Sequence, residues 1–253
     1  MNTGQRFIRR LYLVLIRFKP RSSTISGWSL KNELTISCTH EISHLYLMPR
    51  FESLKEAVGD NVEIRIVTNE YDAIEHMSDP RIDIAFKYKI SESDEDTYSI
   101  AFREAVRPIC SPTFYTKHKT KLSKPPTHWS GIPLLKLTKL NKGWATWEDW
   151  FAVSGKPELL QVHSGYDNYI YLLEAAAAGH GLALGWQGLT ERYLSRNSLV
   201  PVCDHFVRTE NILSAYLTST GKNKEAAISC LKFLSSKRYF EPPANGDVVL
   251  QGS

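Results

Sequence analysis

Histidines are the first candidates for catalytic or metal-binding residues in this sequence, because they act as bases and metal ligands near neutral pH. Two of the eight, His40 and His44, are four residues apart and would share one helix face. No HExxH, GxSxG, GxGxxG or P-loop segment accompanies them. Two histidines without a third ligand are more often a coincidence than a metal site. The sequence therefore favours neither an enzyme nor a metal or cofactor site.

Polar residues at the start of a predicted helix are better suited to binding a small ligand. Thr39 is a good N-cap for a helix predicted over 42–54, and His40 and Ser43 lie beside it. Free N–H groups and the helix dipole at such an end favour an anionic group. Glu41 opposes an anion, so Thr39 and Ser43 are the stronger candidates. An ordinary N-cap explains Thr39 equally well, and one hydroxyl can serve both purposes.

The stretch Tyr166–Trp186 reads as a second helix followed by a buried strand. Its Leu and Ala residues predict a helix over 168–178, with Asp167 or Asn168 as the N-cap. Gly179 is placed to end that helix, and the apolar residues 182–185 predict a strand. A short connection between a helix and a strand is typical of an α/β unit.

Ligands in α/β units lie at helix N-termini and strand carboxyl ends. That rule makes Ser164, Tyr166, Asp167 and Trp186 further candidates for ligand binding, with Trp186 able to stack on a ligand or cation. A plain helix–strand packing unit, with Trp186 in the core, would also explain these residues.

The first 32 residues differ in charge from the remainder of the chain. They hold seven basic residues and no acidic one, whereas the whole chain has a net charge of +4, which is too mild to require nucleic acid as a partner. Phe7, Leu11, Leu15 and Phe18 form an apolar stripe, which predicts an oligomerisation helix that Pro20 ends or bends. The apolar run is too short for a signal peptide or a membrane span.

Cysteine usage agrees with a reduced, cytoplasmic setting. Cys38, Cys110, Cys203 and Cys230 are widely separated and have no metal-binding spacing. The first three lie in or beside apolar, strand-like runs, where a free cysteine behaves as a small hydrophobic residue.

Predicted strands and helices alternate along the chain in two series, with breaks near Ser111 and Asp204. This pattern predicts the α/β class, with two Rossmann-like lobes joined by two crossover strands and a ligand cleft between them. The predicted division is a linker and oligomerisation segment over 1–32, lobe I over 33–110 plus 212–240, lobe II over 111–211, and a disordered tail over 241–253.

Five motifs, in order and in spacing, resemble the effector-binding domain of LysR-type transcriptional regulators. They are Leu47-Met48-Pro49-Arg50-Phe51, Asp83–Tyr88, Glu104–Pro112, Trp147–Phe151 with Gly155, and Tyr166–Trp186. The last two are similar to the branch that includes the glycine-cleavage activator.

The resemblance implies a type II periplasmic-binding-protein-like pair of lobes, preceded by a short linker helix that pairs subunits into a homodimer or homotetramer. It implies a small-molecule effector in the cleft, with Thr68 and Asn69 at a cleft-lining position. Ordinary turn residues after a strand would explain Thr68 and Asn69 equally well. Full-length members contact DNA through a winged helix-turn-helix, which this sequence does not contain. The alternative function on the same architecture is a periplasmic solute-binding protein of a transporter, against which the missing signal peptide argues.

Overall fold

The computed structural model describes residues 32–69, 79–88, 98–138 and 144–235, together with the backbone of Val248–Val249. All of these residues belong to one unit, Asn32–Ser253. The predicted oligomerisation helix with Phe7, Leu11, Leu15 and Phe18 lies outside the described residues, as does a helix predicted at 71–77.

The described strands and helices alternate along the chain. The strands are β1 (Glu33–Cys38), β2 (Glu63–Thr68), β3 (Ile84–Tyr88), β4 (Tyr98–Cys110), β5 (Pro133–Leu137), β6 (Gln161–Tyr166), β7 (Ala183–Trp186), β8 (Val200–Pro201), β9 (Val207–Leu217) and β10 (Val248–Val249). The α-helices are α1 (Phe51–Val58), α2 (Pro112–Leu122), α3 (Trp147–Ser154), α4 (Tyr169–Ala177), α5 (Glu191–Ser195) and α6 (Glu225–Ser235).

Two long antiparallel strands, β4 and β9, join two groups of shorter strands. On one side β1 pairs in parallel with β2 and β3, and β3 pairs with the carboxyl-terminal half of β9. On the other side β7 pairs with the carboxyl-terminal half of β4, and the parallel pair β5–β6 follows through a bridge between Leu134 and Leu182. The predicted class, two α/β lobes joined by two crossover strands, is confirmed, while the exact lobe boundaries stay a prediction.

Both crossover strands are longer than the sequence predicts. The apolar runs 105–110 and 212–217 form only the carboxyl-terminal parts of β4 and β9. Upstream of them, polar residues such as Glu104 and Thr209 interrupt the apolar pattern. These residues stay in the strands because they bond to each other, as described below.

The segment after β1 is less regular than the predicted helix over 42–54. It consists of wide π-type turns over Ile42–Leu47 and a 3₁₀ turn over Met48–Arg50, and α1 follows. Pro49 has no N–H group to continue the hydrogen-bond ladder, which accounts for the break. The apolar spacing of the sequence predicts Met48 on the inner face of this helix, together with Leu45 and Leu47. In the structure Met48 is 48% exposed, so that prediction is wrong for Met48.

The segment around α4 follows the predicted pattern closely. Asn168, one of the two predicted caps, accepts a hydrogen bond from Ile170 N at 2.9 Å through Oδ1. Gly179 has a φ of +84°, the left-handed conformation that ends a helix at a glycine. The small side chains of Ala175 and Ala176 are buried, and α4 contacts β4, β5, β6 and β7. The close approach of helix to sheet therefore follows from the alanine run.

The end of the chain returns to the sheet at β10. Val248 and Val249 pair in parallel with Val207 and Arg208 of β9. The other tail residues lie outside the described part, and the disorder of the tail stays a prediction.

Three of the four cysteines are buried and Cys203 is half-buried. Burial raises the pKa of the Cys38, Cys110 and Cys230 thiols to about 12. These thiols therefore stay protonated at neutral pH and pack as small hydrophobic groups.

An ion pair between a buried carboxylate and a partly exposed lysine fastens the start of α6 to the sheet. Asp83, fully buried, accepts hydrogen bonds from Thr35 N and from Lys224 Nζ, both at 2.9 Å. The main chain of Asp83 also pairs with Thr218 N, and Gly221 approaches so closely that an added Cβ would collide with the Asp83 carbonyl. β1, β3, β9 and α6 thus share one polar contact.

We expect Lys224→Met to destabilise the fold by about 2–4 kcal/mol, because it leaves the Asp83 carboxylate buried without its cation. The largest losses of stability are seen when both partners of an ion pair are fully buried, and the Lys224 side chain is 41% exposed. Chemical denaturation would measure the loss. Lys222→Met, at an exposed position two residues before Lys224, is the matched control. It should change stability by less than about 0.5 kcal/mol. Equal stability of the two variants would contradict the structural role of the pair.

His205 is a half-buried histidine packed beside α3. Its Nε2 lies 3.1 Å from Ser154 Oγ, and its ring stacks on Trp150 at 5.5 Å. Burial lowers the pKa of His205 below its ordinary value of 6.5, although Asp204 acts in the opposite direction. The folded state therefore takes up this proton less readily than the unfolded state.

Stability should accordingly be lost as the pH falls below about 6.5, because the unfolded chain then binds a proton that folded His205 resists. His205→Gln is expected to flatten this part of the curve of unfolding free energy against pH. His163→Gln, at an exposed position, is the control and should keep the native curve. Parallel curves for the native protein and His205→Gln would count against the assignment.

Candidate functional site

The carboxyl ends of β1 and β2 form the first of two polar edges. Cys38 pairs with Thr68 in the parallel register, and Asn69 N donates to the Cys38 carbonyl at 2.9 Å. The Asn69 amide turns back and donates to Ser37 Oγ at 2.7 Å. Three of the predicted ligand-binding residues, Thr39, Thr68 and Asn69, are therefore brought together by strand pairing.

Thr39 has the predicted place at the start of the segment after β1. Its Oγ1 accepts a hydrogen bond from Ile42 N at 3.4 Å, and its side chain is almost wholly buried. His40 is exposed and Ser43 is half-buried on the same turn. A capping hydroxyl uses its oxygen as acceptor and keeps its proton for a ligand.

The second polar edge lies at the carboxyl ends of β5 and β6. Leu137 pairs with Tyr166, and Thr138 N donates to the Tyr166 carbonyl at 2.7 Å. Ser164 and Tyr166 are half-buried, whereas Asp167 is exposed and leaves the capping of α4 to Asn168. The predicted residues of this edge are thus neighbours, at the N-terminus of α4.

Trp186 is placed differently from the other candidates. It is 2% exposed, and its indole Nε1 donates to Glu104 Oε1 at 2.6 Å. Its ring meets the ring of Tyr169 edge-on at 4.9 Å, and its backbone N–H donates to the Tyr169 hydroxyl. Trp186 therefore lies buried behind the second edge, and its indole N–H group is already bonded to Glu104.

Glu104, which the sequence reasoning did not select, is the polar centre between the two groups of strands. It is 1% exposed. Its Oε1 accepts from Trp186 Nε1 and from Ala145 N at 3.0 Å, and its Oε2 accepts from Asn211 Nδ2 at 2.8 Å and from Thr209 Oγ1. Glu104 is the one acidic residue of β4, between Arg103 and the apolar run that follows, and an acidic side chain at that place was the signal that could have identified it.

The pairing of the crossover strands is irregular at Glu104 and also a few residues before it, between Ile100 and Phe102. Arg103 pairs with Ile212 but Ala105 pairs with Arg208, so that β9 places the three residues 209–211 opposite one residue of β4. Thr209 and Asn211 lie in this bulge, and both bind Glu104. Bulges interrupt the ladder and locally bend a strand pair. The geometry concentrates bending at the point where the chain passes from one lobe to the other.

An aromatic series runs beside Glu104 and also spans the two groups of strands. Tyr88, the last residue of β3, stacks on Trp144 at 5.1 Å with an interplanar angle of 20°. Trp144 in turn contacts Trp186 at 5.3 Å. Trp144, Trp147 and Trp150 follow each other at a spacing of three, which predicts packing residues of an amphipathic helix, and all three are buried.

Within the described part of the chain, no three His, Cys, Asp or Glu residues are placed to bind a metal ion together. None of the helices described there has the length and apolar character needed to cross a membrane.

The family of the chain follows from a comparison with family models. Residues 29–235 match the LysR substrate binding domain. This match covers well over half of the 253 residues, so the chain belongs to the LysR substrate-binding domain family.

Solved structures of the same architecture resemble this chain over most of its length. The effector domain of the transcriptional regulator AmpR of Pseudomonas aeruginosa is 20% identical, with a TM-score of 0.60, and the match covers 80% of this chain and 94% of that one. The regulatory domain of CrgA, a LysR-type regulator from Neisseria meningitidis, is 17% identical, with a TM-score of 0.61 and coverage of 81% and 97%. Full-length AphB of Vibrio cholerae is 17% identical, with a TM-score of 0.53 and coverage of 85% and 70%.

These likenesses show the fold. No curated protein matches the sequence significantly. The family match supports the effector-binding domain of a LysR-type regulator over the solute-binding protein of a transporter. The finer resemblance to the glycine-cleavage-activator branch is not confirmed by these comparisons.

Glu104→Gln is expected to cost about 2–4 kcal/mol of stability. The amide NH₂ group of glutamine cannot accept a hydrogen bond, so the donors that bond to one carboxylate oxygen of Glu104 would lose their acceptor. Denaturant unfolding would measure this loss. Glu56→Gln, at an exposed site on α1, makes the same chemical change and should be nearly neutral. A Glu104→Gln variant as stable as Glu56→Gln would refute the four-donor arrangement.

Proposed function

We propose that this chain is the ligand-sensing and oligomerisation domain of a LysR-type regulator, and that a small metabolite binds between the two polar edges. The observation that carries the proposal is the location of each edge at the carboxyl ends of parallel strands, where α/β folds bind ligands. The first edge contributes Thr39, His40, Ser43, Thr68 and Asn69, and the second contributes Ser164, Tyr166 and Asp167, with Trp186 behind it.

The chemistry of the edges suggests the kind of metabolite. Thr39 marks a helical N-terminus, which favours a carboxylate, although half-buried Glu41 limits the net charge that it accepts. Asp167 on the second edge is exposed and suits a cationic group. Amino acids, betaines and small carboxylates are therefore the first compounds to test, in keeping with a regulator of the glycine-cleavage-activator kind.

Signal transmission would use the crossover strands. A ligand that contacts both edges favours one relative orientation of the lobes, and a conformational equilibrium responds only to such a difference in affinity. The bulge at 209–211 is the point at which the strands bend most readily. The helix with Phe7, Leu11, Leu15 and Phe18 would join subunits into a dimer or tetramer in the cytoplasm, and the intact regulator would contact DNA through a winged helix-turn-helix.

Thermal-shift screening of the domain against amino acids, betaines and small carboxylates tests the site. A ligand that binds the folded state raises the unfolding midpoint, and the rise grows with the ratio of the free ligand concentration to Kd. Thr39→Val and Tyr166→Phe each remove one hydroxyl from an edge, and we expect each to reduce the ligand-induced shift, with binding weakened by about tenfold.

The controls remove the same hydroxyls from exposed positions. Thr120→Val on α2 and Tyr171→Phe on α4, where Tyr171 is 63% exposed, should keep the full ligand-induced shift. The shift is compared with and without ligand in each variant, because Thr39→Val also removes a helix cap. A shift unchanged in Thr39→Val and Tyr166→Phe would place the ligand elsewhere.

A further inference from the structure

A second concave surface lies between the segment after β1 and the helices α4 and α5. It encloses about 270 Å³. Its lining residues are His44, Glu174, Ala177, Arg192, Tyr193, Arg196 and Ser198. None of them belongs to the two polar edges of the proposed effector site. We call this surface the α4–α5 groove.

The floor of the groove is fixed by hydrogen bonds. Tyr193 is 8% exposed, and its hydroxyl donates to Glu174 Oε1 at 2.7 Å, which joins α5 to α4. Ser198 N and Ser198 Oγ both donate to the Tyr193 carbonyl, at 3.0 and 3.1 Å. Asn197, with a φ of +54°, makes the left-handed turn that brings Ser198 back onto α5. The groove is thus preorganised and does not depend on an exposed loop.

The walls of the groove carry more positive than negative charge. Arg192 and Arg196 contribute two guanidinium groups, and among the described residues neither has a carboxylate partner. Glu174 is the one acidic lining residue, and its Oε1 accepts from Tyr193. Burial, and after it the bond to Glu174, raises the pKa of Tyr193, so the phenol stays a neutral donor.

From this arrangement we propose that the α4–α5 groove binds a small oxyanion, a carboxylate or a phosphate, through Arg192 and Arg196. The planar guanidinium group has donors spaced to bind either oxyanion by two parallel hydrogen bonds. His44 on the facing wall adds a ring N–H donor. The groove, at about 270 Å³, suits a small organic acid or phosphate ester.

A ligand in the groove would contact parts of the chain that also lead to the effector edges. His44 lies five residues after Thr39, and Glu174 lies on the helix that Asn168 caps. An oxyanion held between them would fix the segment after β1 relative to α4. A ligand in the groove would therefore act on the same two lobes as the proposed effector without contacting that effector.

The test is a titration of the folded domain with inorganic phosphate and, separately, with malonate, at constant ionic strength and followed by nuclear magnetic resonance. We expect signals of α5 and of the segment around His44 to shift for at least one probe. The probe that binds more tightly distinguishes phosphate from carboxylate chemistry. Arg192→Gln with Arg196→Gln should weaken the binding by at least about tenfold, because charge-assisted hydrogen bonds are lost.

Two further variants separate binding from folding. Lys117→Gln with Lys119→Gln removes the same charge from exposed sites on α2 and should leave the binding unchanged. Glu174→Gln keeps an acceptor for Tyr193 but removes the negative charge, so it should tighten the binding about two- to fivefold. If the arginine variant does not fold, the Glu174→Gln result still decides. Shifts spread over all basic surfaces, or equal affinities in all variants, would overturn the proposal while leaving the effector site untouched.

Discussion

The buried carboxylate of Glu104 is the contact on which the remainder of the structure depends. A charged group away from water is costly unless each of its oxygens has partners. Here two donors come from β9, one from β7 and one from the residue two before α3. Two of the four bonds therefore hold the crossover strands to each other, and the other two hold β4 to β7 and to the segment before α3.

This constraint explains the shape of the crossover. β9 needs three residues opposite Glu104 so that Thr209 and Asn211 both reach one oxygen, and the strand pair bulges at that point. Beside it, the stacked rings of Tyr88 and Trp144 connect the end of β3 to the same region. The bulge leaves the backbone irregular at the point where the two crossover strands pass Glu104.

Sequence reasoning succeeded where local signals decide the structure. The cap Asn168, the glycine at position 179 and the alanine run define α4 within a few residues, and the motif order gives the family. It failed where distant partners decide. Glu104 bonds to residues 41, 82, 105 and 107 positions away, and no periodicity within β4 contains that information. Trp186 was recognised as important, yet its burial against Glu104 follows only from the folded chain.

Hydrogen exchange of the Trp186 indole N–H group tests the role of Glu104 most directly. Nuclear magnetic resonance would follow the exchange, and a Trp186→Phe variant would assign the signal. The bond to Glu104 at 2.6 Å, at a side chain that is 2% exposed, predicts exchange as slow as that of the amides in the core of β4 and β9. Exchange at the rate of an open surface indole would show that Glu104 does not hold the second group of strands, and would contradict the account.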